Sequence, residues 1–327
     1  MFCFNLYYNS PQAYWLLQSN IIICLPSPRT LNKHGIFVTS EINDRLMLNL
    51  KTKVDAMSVM EKNCSVVIDA MSLKDNLFYN LKQDKIIGFH EVNGVQSPEP
   101  AKNALVMMVR AIFINWKQPV GFALLSECRN YDEIAKWTDK LLEKLFEIGL
   151  NIGTFVSDMG SDLLKAAKNR SVTIERPYFF ISGRKIYNIF DAPHLLKLVC
   201  NNLITYDFHF QDRVAKYEHI VKFYENDKQK CFKLAHKLTN CHIYPTNFEK
   251  MKVRYATQLL SNSVAAGIST YIDFNKIQES GRDTAELIRN NMNNIFDALN
   301  ASNLNDSYEY RRAFFGQESQ KTFLIKC

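Results

Sequence analysis

The chain holds no C-x-x-C pair, no apolar stretch long enough to cross a bilayer and no conventional phosphate loop. Each of these gaps removes a class of function. Its eight cysteines, Cys3, Cys24, Cys64, Cys128, Cys200, Cys231, Cys241 and Cys327, are scattered, which supports neither a zinc module nor a disulfide framework. The longest apolar run near the start, residues 21–25, is far below the ~20 residues of a spanning helix and lacks the layout of a secretory signal. A soluble, intracellular chain with no membrane partner is the expectation. Neither G-x-x-x-x-G-K-S/T nor G-x-G-x-x-G occurs, because Gly149, Gly153 and Gly160 stand at other spacings; P-loop and dinucleotide folds are therefore unsupported. A G-x-S-x-G elbow is also missing and no Cys/His pairing is legible, so hydrolases of those kinds drop out. Internal repeats and low-complexity tracts are absent as well.

What is present is globular. Of 327 residues, 47% are hydrophobic and 22% charged, enough to build two cores, or one core carrying a large insertion. Forty basic residues against 33 acidic ones give a net charge of +7, which leans toward a polyanionic partner without deciding for one. Residues 1–35 read as irregular, with Pro26 and Pro28 marking an extended connector. Residues 40–57 carry imperfect helical spacing, so 1–60 are grouped as connector and helix.

From Ser65 onward the pattern sharpens. Val66-Val67-Ile68 is a β-branched run ending at Asp69, and strands are expected at 104–114, 120–125, 152–156 and 185–190. Residues 131–149 form an amphipathic helix with Ile134, Trp137, Leu141, Leu142, Leu145 and Phe146 on one stripe. Short helices follow at 163–168 and 195–203, the latter after Asp191-Ala192-Pro193-His194. This order predicts an α/β domain over 61–206, a mixed sheet with covering helices. Beyond residue 207 the texture turns lysine- and asparagine-rich and helical, and 207–327 read as a separate all-α unit.

Asp69 and Asp158 each close an apolar run of the same sheet. Carboxylates at adjacent strand ends can converge on Mg²⁺, but aspartates also cap turns and helices, and spacing alone favours capping. Asp191 suits a helix N-cap, with His194 one turn later. Phe296 and Asn300 lie four apart on one helical face with Asp297 beside them. A ring, a carboxylate and an amide could read a purine; by spacing alone, Phe296 as core and Asp297 as solvated is the better supported reading. Tyr14, Trp15 and the lysines of 213–254 could contact nucleic acid, or simply form solvated faces.

A set of short segments, in this order, resembles the P-element transposase family and its THAP-type relatives over nearly the whole chain. They are Leu25-Pro26-Ser27-Pro28-Arg29-Thr30-Leu31, Ile68-Asp69-Ala70-Met71, Ile87-Gly88-Phe89 and Asn115-Trp116-Lys117-Gln118-Pro119. Further on come Val156-Ser157-Asp158-Met159-Gly160-Ser161, Phe190-Asp191-Ala192-Pro193-His194-Leu195-Leu196-Lys197-Leu198, Lys237-Leu238-Thr239, His242-Ile243, Lys250-Met251-Lys252-Val253 and Phe296-Asp297-Ala298-Leu299-Asn300. The resemblance implies an RNase H-like mixed sheet interrupted by an all-α GTP-binding insertion. It implies that Asp69 and Asp158 bind the catalytic Mg²⁺ or Mn²⁺. It also implies GTP contacts at Phe296, Asp297 and Asn300, with Lys237, Lys252, Val253 and Ser261 supplying the rest.

Two departures accompany it. No C-x₂₋₄-C pair precedes the connector, so the family's N-terminal zinc module is not expected here. No equivalent of the third metal-binding glutamate is found either, since Glu309 and Glu318 lack the expected helical context. The resemblance therefore implies a truncated DNA transposase, cleaving DNA and transferring strands with GTP as cofactor. The alternative is a catalytically inactive DNA- or protein-binding remnant. Expected partners are DNA (transposon ends and target), a guanine nucleotide and a second copy of the chain; the expected location is the nucleus.

Overall fold

Alternation decides the first strand. Cys64, Val66 and Ile68 are buried while the residues between them are only half-covered, the period-two pattern of a strand with one face in a core. The computed structural model describes the chain except residues 1–2, 4–5, 8–9, 20–23, 35–37, 75, 82–83, 128–130 and 327. Most of the apolar run at 21–25, together with Cys128 and Cys327, lies outside the described residues. The described chain divides into two units, residues 1–157 with 161–189, and residues 158–160 with 190–327.

In the first unit the strands are β1 (Asn63–Ser72), β2 (Phe78–Asn80), β3 (Lys85–Ile87), β4 (Phe89–Val92), β5 (Val95–Pro100), β6 (Asn103–Ala111), β7 (Lys117–Leu125), β8 (Asn151–Ser157), β9 (Tyr178–Ile181) and β10 (Arg184–Phe190). Eight of them form one sheet in the order β5-β4-β7-β6-β1-β8-β10-β9, while β2 and β3 pair separately. β1 runs antiparallel to β6 and parallel to β8, so the sheet is mixed, as expected. The sequence reading lacked the β2–β3 pair and, within the large sheet, β4, β5 and β9. The last three are short or exposed strands whose two-residue turns, Asn93-Gly94 and Ser182-Gly183, hold positive φ at both positions, the geometry of tight hairpins.

The helix Tyr131–Glu147 lays Ile134, Trp137, Leu141, Leu142, Leu145 and Phe146 into the core of the sheet. Its end is fixed by geometry as well as composition. Gly149, at φ +95°, donates its N–H to Phe146 O at 3.0 Å, and Leu150 N–H donates to Leu145 O at 3.2 Å, the paired bonds of a glycine-terminated helix. Where this helix meets β7, a Cβ on Gly121 would lie 3.0 Å from Trp137 and 3.1 Å from Leu141.

The prolines near the start do not make an extended connector. Pro28 opens a helix, Pro28–His34, in the first turn, where its missing N–H costs nothing, and Thr30 N–H donates to Ser27 Oγ at 3.1 Å. A second helix, Pro11–Ser19, places buried Tyr14 with Leu25 and Leu31 in a small cluster of their own. The Tyr14 hydroxyl donates to Pro26 O, and Gln18 Nε2 donates to Leu25 O and Pro26 O at 3.2 and 3.1 Å.

The second unit is helical apart from a small hairpin of β11 (Phe208–Phe210) and β12 (Arg213–Ala215), turned by Gln211 and Asp212 at positive φ. The helix Ala192–Thr205, grouped with the sheet by its sequence position, buries Leu196, Cys200 and Leu203 in the second core instead. That core also takes Ile220 and Phe223 of the helix Tyr217–Asp227 and Val264, Ala265 and Ile268 of the helix Asn262–Asp273. Burial pushes the Cys64 thiol up to about 11 and the Cys200 thiol up to about 12, so both act as small apolar groups. Among the described residues no helix is long and apolar enough to cross a membrane.

Two features of the second core make checkable demands. A Cβ on Gly267 would fall 2.3 Å from the buried Phe223 ring, so Gly267→Ala is expected to cost about 1–3 kcal/mol of stability in urea denaturation. His219 is buried with its Nδ1 2.8 Å from Thr284 Oγ1 and Nε2 3.2 Å from Ser280 Oγ. Burial lowers its pKa, Lys222 and Lys216 add to this, and Glu218 and Asp207 oppose it. The unfolded chain then binds a proton that the folded one refuses. This contribution to stability is therefore complete above about pH 6.5 and is lost as pH falls below that value. Urea midpoints at about pH 7.5 and about pH 5 should differ less in His219→Gln than in the parent chain.

Candidate functional site

The register of β1 decides where Asp69 stands. β1 pairs with β8 up to Ile68↔Ser157 and with β6 through Asp69↔Val106 as far as Ser72↔Asn103. Asp69 therefore does not end its strand, as its sequence position suggested. It is the first residue after the last β8 partner, and Asp158 is likewise the residue after Ser157. Asp69 is exposed, and its Oδ1 accepts the Ala70 N–H at 2.9 Å. Asp158 is half-buried, with Oδ1 accepting the Gly160 N–H at 3.0 Å. A Cβ on Gly160 would lie 3.0 Å from that oxygen, so the bare glycine lets the turn close on the carboxylate. Carboxylate oxygens are the donors a hard divalent cation takes, and in that respect the two residues fit Mg²⁺. Among the described residues no group of three or more His, Cys, Asp or Glu side chains could hold a metal ion.

Asp191 and His194 take the capping role. Asp191 is the N-cap of the helix Ala192–Thr205, its Oδ2 accepting the His194 N–H at 3.2 Å and lying 2.7 Å from His194 Nδ1. Of the two glutamates set aside earlier, Glu309 opens only a three-residue turn, Glu309–Arg311, while Glu318 opens the helix Glu318–Lys326. Glu318 lies 3.5 Å from Lys321 Nζ.

In the second unit, the candidate nucleotide residues sit on four segments. Lys237 is exposed on the loop after the helix Tyr217–Asp227. That loop is tied down by a buried carboxylate: Asp227 Oδ1 accepts Leu234 N–H at 2.9 Å and its Oδ2 accepts Ala235 N–H at 3.1 Å. Ala235 and Leu238 are thereby sunk in the core with Lys237 outside. Lys252 precedes the helix Val253–Leu259, its ammonium over the rings of Phe248 and Tyr255 at 4.7 and 5.3 Å. Ser261 precedes the helix Asn262–Asp273 and donates to Gln258 O at 2.8 Å. Phe296 is half-buried against the second core, whereas Asn300 is exposed with its Nδ2 on Phe296 O at 3.0 Å.

Hydrogen bonds join these segments through residues that sequence reasoning missed. Thr239 N–H donates to His242 Nδ1 at 3.1 Å, and His242 Nε2 lies 2.8 Å from Gln258 Oε1, linking the Lys237 loop to the helix after Lys252. Next to Ser261, Asn262 N–H donates to Asn293 Oδ1 at 3.4 Å. Asn293 Nδ2 in turn donates to Asp297 Oδ2 at 3.0 Å, and Arg311 Nε donates to the same oxygen at 3.2 Å. Asn293 lies in a π-helical turn, Leu287–Asn293, directly before the helix Asn294–Asn300, a kind of bulge frequent at functional sites. Among the described residues, Asn262 Oδ1 is buried with no hydrogen-bond partner. An orphaned acceptor beside this network fits a ligand that brings N–H donors. The cluster Asn290, Asn291, Asn293 and Asn294, interrupted only by Met292, was the visible signal for it.

Residues 38–170 match the TNP-like, RNase H N-terminal domain, and residues 193–312 match the TNP-like, GTP-binding insertion domain. The chain is 24% identical over 309 residues to the DNA transposase THAP9 of Homo sapiens, covering 88% of this chain and 32% of that protein. It is 24% identical over 250 residues to the transposable element P transposase of Drosophila melanogaster, covering 76% of this chain and 31% of that protein. The chain thus spans about a third of the length of these curated relatives. Its fold matches the Drosophila P element transposase strand transfer complex at a TM-score of 0.80 and 23% identity, over 99% of this chain and 70% of that one.

The anchoring of the Lys237 loop can be tested directly. Asp227→Ala strands two main-chain donors and should lower stability by on the order of 2–4 kcal/mol. Limited trypsin digestion should then open the 228–237 segment of the variant before that of the parent.

Proposed function

We propose, for a chain homologous to the P-element transposases and carrying their RNase H-like and GTP-binding domain types, that it cleaves and rejoins DNA with GTP as a positioning cofactor. The GTP-binding part of this reading is carried by one observation, the network Asn262–Asn293–Asp297 with the unpartnered acceptor of Asn262 beside it. Guanine offers N–H donors at N1 and N2, and Asp297 is the carboxylate to receive them. Asn293 and Arg311 hold that carboxylate by one oxygen, which fixes its plane before a nucleotide arrives. Phe296 and Asn300 would flank the base, with Ser261 and Val253 at the same site. Lys237 and Lys252 would meet the phosphates as point charges. The insertion is proposed to begin near residue 190, where the second unit starts.

In the RNase H-like domain, Asp69 and Asp158 would hold the divalent ion, Mg²⁺ or Mn²⁺. Bound there, such an ion supplies charge neutralisation on a phosphoryl oxygen and acidifies a nucleophilic water. The contribution of the chain is positional: each aspartate already directs one oxygen to a main-chain N–H, which favours one orientation of its carboxylate and leaves the other oxygen for an ion. The net charge of +7 suits a DNA backbone. The nucleus is the compartment, and transposon ends, target DNA and a second copy of the chain are the partners, that this reading implies.

The test is metal-dependent nicking of a labelled DNA duplex. Activity with Mg²⁺ or Mn²⁺ that falls at least ~100-fold in Asp69→Asn and in Asp158→Asn supports the reading. No nicking by the folded parent chain, or nicking untouched by both substitutions, contradicts it and leaves the binding remnant as the better description.

A further inference from the structure

The far edge of the eight-stranded sheet carries a group of side chains that neither candidate site uses. β9 and β10 alternate cleanly. Phe179, Ile181 and Ile186 point into the core, while Phe180, Tyr187 and Ile189 stand 52%, 45% and 46% exposed on the other face. The register places Lys185 opposite Phe180 and Tyr187 opposite Tyr178. The Lys185 ammonium lies 3.8 Å from the centre of the Tyr178 ring and 4.8 Å from that of Tyr187. The Arg176 guanidinium sits 5.5 Å from the same Tyr178 ring. Tyr178 meets Phe180 and Tyr187 edge-on at 5.7 and 5.9 Å. The ammonium is therefore pinned between the half-buried Tyr178 ring and the exposed Tyr187 ring, with exposed Phe180 on the neighbouring strand and a second cation alongside.

Aromatic rings left in water lose free energy that burial against another flat surface would recover. Cations interleaved with such rings suit one polyanion in particular. An unpaired nucleic-acid strand offers free base faces to the rings and phosphates to Lys185 and Arg176, whereas a duplex keeps its base faces stacked and offers only phosphates and groove edges. We propose that the Phe180–Lys185–Tyr187 face of β9 and β10 is a stacking platform for an unpaired nucleic-acid strand. It rests on the reading of this chain as a DNA-handling protein and adds to it a place where a separated strand is held. Tyr178 is the positioning residue, bracing Lys185 between two rings so that the ammonium is presented without loss of side-chain freedom on binding.

The experiment is fluorescence anisotropy of the full chain with a labelled oligothymidylate and, separately, a labelled duplex. Phe180→Ser with Tyr187→Ser should weaken the single strand by ~30-fold or more while changing the duplex by less than ~3-fold. Lys185→Gln should flatten the salt dependence of single-strand binding by about 0.7 in slope. An unchanged thermal melt establishes that the variants are folded. Equal single-strand affinity in parent and double variant overturns the proposal, and if duplex binding persists the DNA-handling reading stands without it. Failure of the parent to bind either probe overturns both. Loss of self-association in the double variant, with single-strand affinity intact, overturns the proposal by assigning the face to a second copy of the chain.

Discussion

The parallel ladder of β1 on β8 is the constraint on which the first unit depends. Past a one-residue irregularity between Cys64 and Ser65, the ladder holds its register to Ile68↔Ser157, because a further slip would turn Val66 and Ile68 out to solvent. With the register fixed at Ile68↔Ser157, the next residue on each strand is an aspartate. β6 continues beside β1 to Ser72, so Asp69 is supported on one side by a strand and open on the other. The helix Tyr131–Glu147 and the close approach at Gly121 hold the ladder from behind. Packing thus sets the level on β1 at which Asp69 stands and the residue at which β8 ends.

The second unit uses a different device. Buried polar groups, each with partners, fasten loops that bear exposed lysines. Asp227 accepts two main-chain N–H groups beneath the Lys237 loop. His242 caps one turn with Nδ1 and reaches Gln258 with Nε2. Asn293 bridges the start of one helix to Asp297 of another. In a low-dielectric interior such bonds are strong when complete and costly when broken, so each ties two of these segments together. The incomplete member, Asn262 Oδ1, is therefore the informative one.

Much of this was legible in the sequence, and what was not has physical causes. Short apolar and β-branched runs exposed β1, β6, β7, β8 and β10, and the 3.6-residue stripe of 134–146 gave the long helix, because burial in a core demands such side chains at such positions. β5, with two prolines and almost every side chain exposed, has no apolar period to read; only the Asn93-Gly94 turn could have announced it. Pro28 misled in the opposite direction, since proline breaks a helix interior but suits its first turn. Asp69 and Asp158 were singled out, yet their register was invisible because pairing between β1 and β8 spans distant segments. The resemblance brought forward Phe296, Asp297 and Asn300, while Asn293 and Arg311 went unmarked: the asparagine cluster of 290–294 is visible, but which of its members bridges to Asp297 is not until the partners are known.

The account turns on whether the second unit reads guanine through Asp297. The direct measurement is titration of the purified chain with fluorescent GTP, with ATP as competitor and Asp297→Ala as control. The account predicts saturable binding that GTP displaces and ATP does not, lost by at least ~10-fold in the variant, as removal of a half-buried charged acceptor requires. A chain that melts cooperatively yet binds no GTP, or binds GTP and ATP alike, or binds GTP undiminished without the Asp297 carboxylate, contradicts it.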